Sequence, residues 1–151
     1  MYSQEPGYAV AVLGRCLIHV CVERTTSTTI SLIRRALADL SERYDSFGYL
    51  CVLEPGAELT LAADLRESVN AYVRRYSPRF TGAAIVFEAP GFQATVVRSL
   101  VTAVNLASRA SHPTKVFDEL RAGTSWLCQL TPGEPAGARL LAVTNQLRKP
   151  R

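Results

Sequence analysis

The side chains able to do chemistry are few and scattered. Cysteines stand at 16, 21, 51 and 128, and histidines at 19 and 112. No cysteine pair has the C-x-x-C spacing of a zinc or redox site, and neither histidine has a cysteine or acid patterned around it. No metal site is therefore expected. Cys16, Cys21 and Cys51 lie within apolar runs and read as small buried hydrophobes in strands. The chain lacks a G-x-S-x-G elbow, a phosphate-binding loop, a G-x-G-x-x-G fingerprint and an H-E-x-x-H helix. These absences point away from an enzyme, and neither a catalytic residue nor a cofactor is assigned. A weaker set remains for binding a ligand or anion: Glu54, Gly91, Phe92, Arg98 and Ser99. Gly91 opens a helix whose free N–H groups suit an anion. Arg98 lies two turns further along, and Glu54 is the acid expected to pair with it.

These residues need elements to hold them. Tyr8–Leu13 and Cys16–Val22 are β-rich runs joined by Gly14-Arg15, a tight hairpin connection of the II′ kind. With Leu13 opposite Cys16, one face of the hairpin collects Ala9, Ala11, Leu13, Cys16, Ile18, Val20 and Val22. The other collects Tyr8, Val10, Val12, Leu17, His19 and Cys21. Both faces are apolar, so one meets the helices and the other needs a second cover, a partner or a ligand. The face bearing Tyr8, Val10, Val12, Leu17 and His19 is the candidate protein interface.

Beyond the hydroxyl cluster at 25–29, Ile30, Ile33, Leu37, Leu40 and Tyr44 recur at helical spacing. Phe47–Leu53 is a nearly continuous apolar strand. Leu61, Leu65, Val69, Tyr72 or Val73, and Tyr76 mark a second helix that Ser77-Pro78 closes, and Thr81–Phe87 is a strand apolar on both faces. Ala89-Pro90-Gly91 starts a third helix running to about Ala110, with Val97, Leu100, Val104 and Ala107 on its buried side. Lys115–Phe117 is a short strand, and Asp118 caps a helix carrying Leu120, Trp126 and Leu127. The order ββαβαβαβα predicts an α/β domain: a mixed sheet with an N-terminal antiparallel hairpin, then alternating α/β units with parallel strands, helices mainly on one face.

The chain has 151 residues, 48% of them hydrophobic, and a net charge of +4. That length buries a core without disulfides or metals. Residues 131–151 carry four bases and one acid, which leaves residues 1–130 at +1. The charge thus belongs to the tail, and no basic stripe interleaved with aromatics points to nucleic acid. No apolar run approaches the roughly 18 residues of a membrane span. Met1–Gly7, with Glu5 and Pro6, does not read as a secretory signal, so a cytoplasmic location is expected. Residues 1–130 are expected to form the domain, and 131–151 a linker and short basic tail lying across the hairpin face that the helices leave open.

The closing stretch 110–120, Ala-Ser-His-Pro-Thr-Lys-Val-Phe-Asp-Glu-Leu, followed by Ser125-Trp126-Leu127, resembles the STAS superfamily in its SpoIIAA-like branch. Gly91-Phe92 with Val97-Arg98-Ser99 is similar to the third helix of short proteins of that branch, and the likeness spans about residues 8 to 128. It implies a STAS-like fold and a non-enzymatic regulatory module. Such modules act by binding a protein partner, as in phosphorylation-switched anti-sigma antagonists, or in related forms by carrying a lipid. The phosphorylated serine of the switch falls in the segment 53–60, which here has no serine. Thr60 is the hydroxyl left there as a candidate phosphosite. The expected function is protein binding or self-association, with carriage of a lipid or small apolar ligand, in a cavity mouthed by Glu54, Gly91 and Arg98, as the alternative.

Overall fold

A computed structural model of the protein describes residues 1–89 and 91–149. Six strands, β1 (Ser3–Glu5), β2 (Tyr8–Leu13), β3 (Cys16–Cys21), β4 (Phe47–Leu53), β5 (Phe80–Phe87) and β6 (Thr114–Phe117), form one sheet in sequential order. β1, β2 and β3 pair antiparallel, and β3 to β6 run parallel. Among the described residues three α-helices fill the intervals between strands, α1 (Ser27–Arg43), α2 (Ala63–Tyr76) and α3 (Phe92–Ser108), and two follow β6, α4 (Leu120–Leu130) and α5 (Gly137–Arg148). The hairpin register is the expected one, Leu13 opposite Cys16, and Gly14 takes the positive φ of 55° that the first turn position requires. The short edge strand β1 had no alternation long enough to be seen in the sequence. The expected start of the third helix, at 89–91, includes Pro90, which lies outside the described residues; α3 itself begins at Phe92.

Sequential strand order decides where the helices go. When each parallel strand is added on the same side of the last, right-handed crossovers place every connecting helix on one face. α1, α2 and α3 are those crossovers. α1 begins with Thr26 accepting from the Thr29 N–H at 3.3 Å, and its buried Ile30, Ile33, Leu37 and Leu40 pack with Val10, Leu17 and Phe47. This corrects the expected interface. Val10 and Leu17 are fully buried, His19 is 4% exposed, and Tyr8 and Val12 pack partly buried against the same core. The face is closed by the chain's own first crossover, which reaches back over the hairpin because α1 must return from β3 to β4.

The opposite face is left to the C-terminal helices. Leu120 and Leu127 of α4 and Leu140 and Leu147 of α5 pack with Ala9, Ala11, Cys16, Ile18, Val20 and the inward residues of β4 and β5. α4 comes very close to the sheet: a Cβ added to Gly48 would stand 2.9 Å from Thr131 Oγ1 and 3.0 Å from Leu127 Cδ1. The segment after Leu130 does cover a hairpin face, as expected of the tail. It covers the Ala9–Val20 face, and as a 12-residue helix built into the core, not as an appendage. Helices therefore stand on both faces, three on one and two on the other.

Arg148, at the end of α5, locks this cover in place. Its Nε donates to Glu54 Oε1 at 2.5 Å and its Nη2 to Glu54 Oε2 at 3.0 Å, while Nη1 lies 2.6 Å from Glu88 Oε1. Glu88 Oε2 also accepts the Leu120 N–H at 3.2 Å. One guanidinium thus ties α5 to the ends of β4 and β5. Its bidentate geometry is of the stronger, charge-assisted kind, and the Glu54 carboxylate raises the Arg148 pKa above its ordinary value. Truncation after Leu130 is expected to expose the Ala9–Val20 face and give a protein that binds a hydrophobic dye and aggregates. Equal dye fluorescence and solubility for the truncated and full chains would show that α5 is dispensable.

Candidate functional site

The crossover face contains an opening. α3 leans on α2 more than on the sheet, and a cavity of about 170 Å³ remains between them and the strands. His19 of β3, Tyr49 and Cys51 of β4, and Ile85 of β5 line its strand side. They share one face because parallel register sets His19, Cys51 and Ile85 in one row, with Tyr49 two residues before Cys51. Val69, Tyr72 and Val73 of α2 and Leu100, Val101 and Val104 of α3 close the other side. The segment between β4 and α2 contributes Glu58, Leu59 and Leu61 at the rim. Among the described lining residues Glu58 is the sole acid, and no lysine or arginine lines the cavity.

α3 gives this wall a particular character. Only Val97 and Ser108 of its 17 residues are buried, so of the expected stripe Val97 alone is in the core. Leu100 and Val104 instead border the cavity, and Ala107 is exposed. A helix apolar on most of its surface is ordinarily enclosed, yet Phe92 is 82% and Leu106 75% exposed on its outer side.

The histidine, tyrosine and cysteine side chains of the cavity are held neutral. Tyr49 and Tyr72 stack with ring centroids 6.5 Å apart and hydroxyls at 3.3 Å. Burial raises both phenols well above their usual range, and the Cys51 thiol likewise. His19 Nδ1 lies 3.6 Å from Cys51 Sγ, and burial lowers the His19 pKa to about 4. His112 at the far end, with Nδ1 2.7 Å from Ser77 Oγ, is lowered by burial too. Every one of these shifts favours the uncharged form.

The other sequence-derived site residues do not meet here. Glu54 is bound by Arg148, not by Arg98. Arg98 and Ser99 stand exposed on the outward side of α3, along a shallow groove with Thr102 and Leu106. Gly91 is the exposed residue before α3, with φ of 89°, and Phe92 points to solvent. The structure therefore places none of Glu54, Gly91 and Arg98 among the residues lining the cavity. Thr60 is exposed in an irregular stretch before Ala62, the residue that precedes α2, so a phosphate there would not lie at the helix end. Of the assigned residues, His19 alone lines the cavity, reassigned from an outer interface to an inner wall. Tyr49 and Tyr72 were missed. Their one signal was an aromatic on a strand and another on the following helix, both on the core stripe.

His19 has a measurable consequence. An unfolded chain's histidine takes up a proton near pH 6.5, whereas this one resists until about pH 4. The unfolded state therefore binds more protons between those values, and stability falls as pH falls through that window. Its contribution, intact above about pH 6.5, is expected to drop by about 2 kcal/mol at pH 5. His112 adds loss of the same sign. Urea denaturation at pH 7 and pH 5 should show the difference shrinking by most of that amount in His19→Gln; an unchanged difference would mean that His19 is solvated.

No protein-family model matches the chain, and no curated protein matches it. A solved structure does. It is a protein of the DUF3478 family from Shewanella loihica PV-4, described as having a SpoIIAA-like fold; it aligns with a TM-score of 0.59 at 17% identity, covering 85% of this chain and 99% of that one. No helix among the described residues is long and apolar enough to cross a membrane. The six-stranded mixed sheet, with its N-terminal antiparallel hairpin and parallel α/β units, thus has the SpoIIAA-like fold.

Proposed function

We propose that the chain is a non-enzymatic binding module whose ligand is a small apolar molecule, held in the cavity beneath α2 and α3. The cavity itself carries this reading: an apolar space with a few polar groups in its wall, under a loosely packed helix, is the usual form of a small-molecule site. Its volume sets the ligand's size. A cavity of roughly 150 Å³ accommodates a benzene ring, so about 170 Å³ suits a single ring or short chain better than a whole lipid. The neutral state favoured for His19, Cys51, Tyr49 and Tyr72 supports binding over acid–base chemistry, which needs a group poised to exchange a proton near working pH.

Protein purified under native conditions, then denatured and extracted, is expected to release a small neutral molecule identifiable by mass spectrometry. Val104→Phe, which fills the space from the α3 side, is expected to release none while keeping the same thermal transition to within a few degrees. Identical extracts from the two proteins would sink the reading.

The outer side of α3 supports a second reading, self-association or a protein partner. Phe92 and Leu106 are the large apolar side chains exposed there, beside Arg98, and α3 carries no acid. Sedimentation equilibrium is expected to show reversible association that Leu106→Glu abolishes. A monomer at every accessible concentration would rule out a homodimer.

A further inference from the structure

The cavity wall holds two buried polar atoms that have no hydrogen-bond partner among the described residues, His19 Nε2 on β3 and Thr114 Oγ1 on β6. Unpaired buried polar atoms are rare enough that each calls for a water, an ion or a ligand. The two are three strands apart, on the order of 14 Å, so a molecule of the size the cavity holds reaches one and not both. A hydroxyl can rotate to serve a water. The His19 ring, 4% exposed and set beside Cys51 Sγ, is fixed.

Cys51 determines what the ring offers. Its thiol stays protonated because it is buried, which leaves an S–H able to donate to a ring nitrogen. With S–H donating to Nδ1, the ring proton of a neutral imidazole resides on Nε2. The wall then presents one N–H donor with nothing to receive it. Charge narrows the partner further. Among the described lining residues Glu58 alone is charged, and Arg148 is engaged with Glu54 and Glu88, so a carboxylate would meet a like charge and no cation among them.

We propose that the cavity takes a neutral ring or short-chain molecule bearing one hydrogen-bond acceptor, a ketone, ester or ether oxygen, that receives Nε2–H of His19. This rests on the ligand-binding reading and adds the chemical class of the ligand. A purely apolar pocket would prefer a hydrocarbon, since a carbonyl surrenders its hydrogen bonds to water on entering. A waiting donor reverses that preference.

The test uses the full chain and three probes of similar shape: acetophenone, α-methylstyrene, in which a CH₂ replaces the carbonyl oxygen, and benzoate. Titration calorimetry is expected to show acetophenone binding at least as tightly as α-methylstyrene, and benzoate more weakly than both. In His19→Phe, which keeps a ring but removes the donor, the acetophenone-to-styrene ratio is expected to fall about tenfold. The ¹⁵N resonance of His19 Nε2 in the unmodified protein should move on adding acetophenone and stay put with α-methylstyrene, a readout that stands if the variant does not fold. Preference for α-methylstyrene by more than tenfold in the unmodified protein overturns the acceptor class while leaving the cavity as a binding site. A ratio unchanged in His19→Phe, or an Nε2 resonance indifferent to acetophenone, removes His19 as the donor, and tight benzoate binding overturns neutrality. Failure of all three probes, with Val104→Phe releasing the same extract as the unmodified protein, brings down the ligand-binding reading itself.

Discussion

Strand order is the constraint from which the rest of this molecule follows. β3 to β6 are laid down one beside the next in the same direction, so all three crossover helices fall on one face of the sheet. A sheet with central strands this apolar cannot leave its second face to water. Ala9, Ala11, Ile18, Leu50, Val52, Ala84 and Val86 would all be exposed without α4 and α5. The last two helices are thus a structural necessity of the topology. Arg148 fastens the outermost of them through two carboxylates placed just after β4 and β5.

That fastening also moves the site. In open α/β sheets ligands commonly collect beyond the carboxyl ends of parallel strands, where loops diverge. Here those ends carry Glu54 and Glu88, and the chain's own guanidinium occupies both. The space that remains lies on the crossover face, where α3 follows the longest strand and rests on α2. Its wall is built from strand residues in register, and a site on strands is held more rigidly than one on loops. The wall most able to move is α3, with two buried residues in 17.

Much of the fold was legible because the signals were local. The Gly14-Arg15 turn, the Ile30–Leu40 stripe and the apolar runs of β4 and β5 each state their own structure, and alternation of elements then leaves few topologies. The site was not legible, for a reason that concerns faces. The sequence shows that both sides of the hairpin are apolar, but not which side each cover takes. Assigning the Val10 and His19 side to open surface reversed the covers: α1 took that side, and the supposed tail took the other. Pairing Glu54 with Arg98 rests on the expected adjacency of the two strands in the sheet, while the true partner of Glu54 lies 94 residues away at the end of α5. Long-range pairs of that kind leave no local periodicity to detect.

The same reversal explains why His19 matters more inside than it would have outside. On an open face an imidazole is a solvated group near its ordinary pKa, able to touch a partner but costing little. Under the helices it loses its charge and keeps its polarity, with one nitrogen beside Cys51 and the other without a partner among the described residues. A core built only for stability would place an aliphatic side chain in this row, as β5 does with Ile85. A neutral imidazole in the wall of an apolar space, with Cys51 beside it to fix its proton, is an arrangement whose cost is offset when something enters that space and accepts the bond.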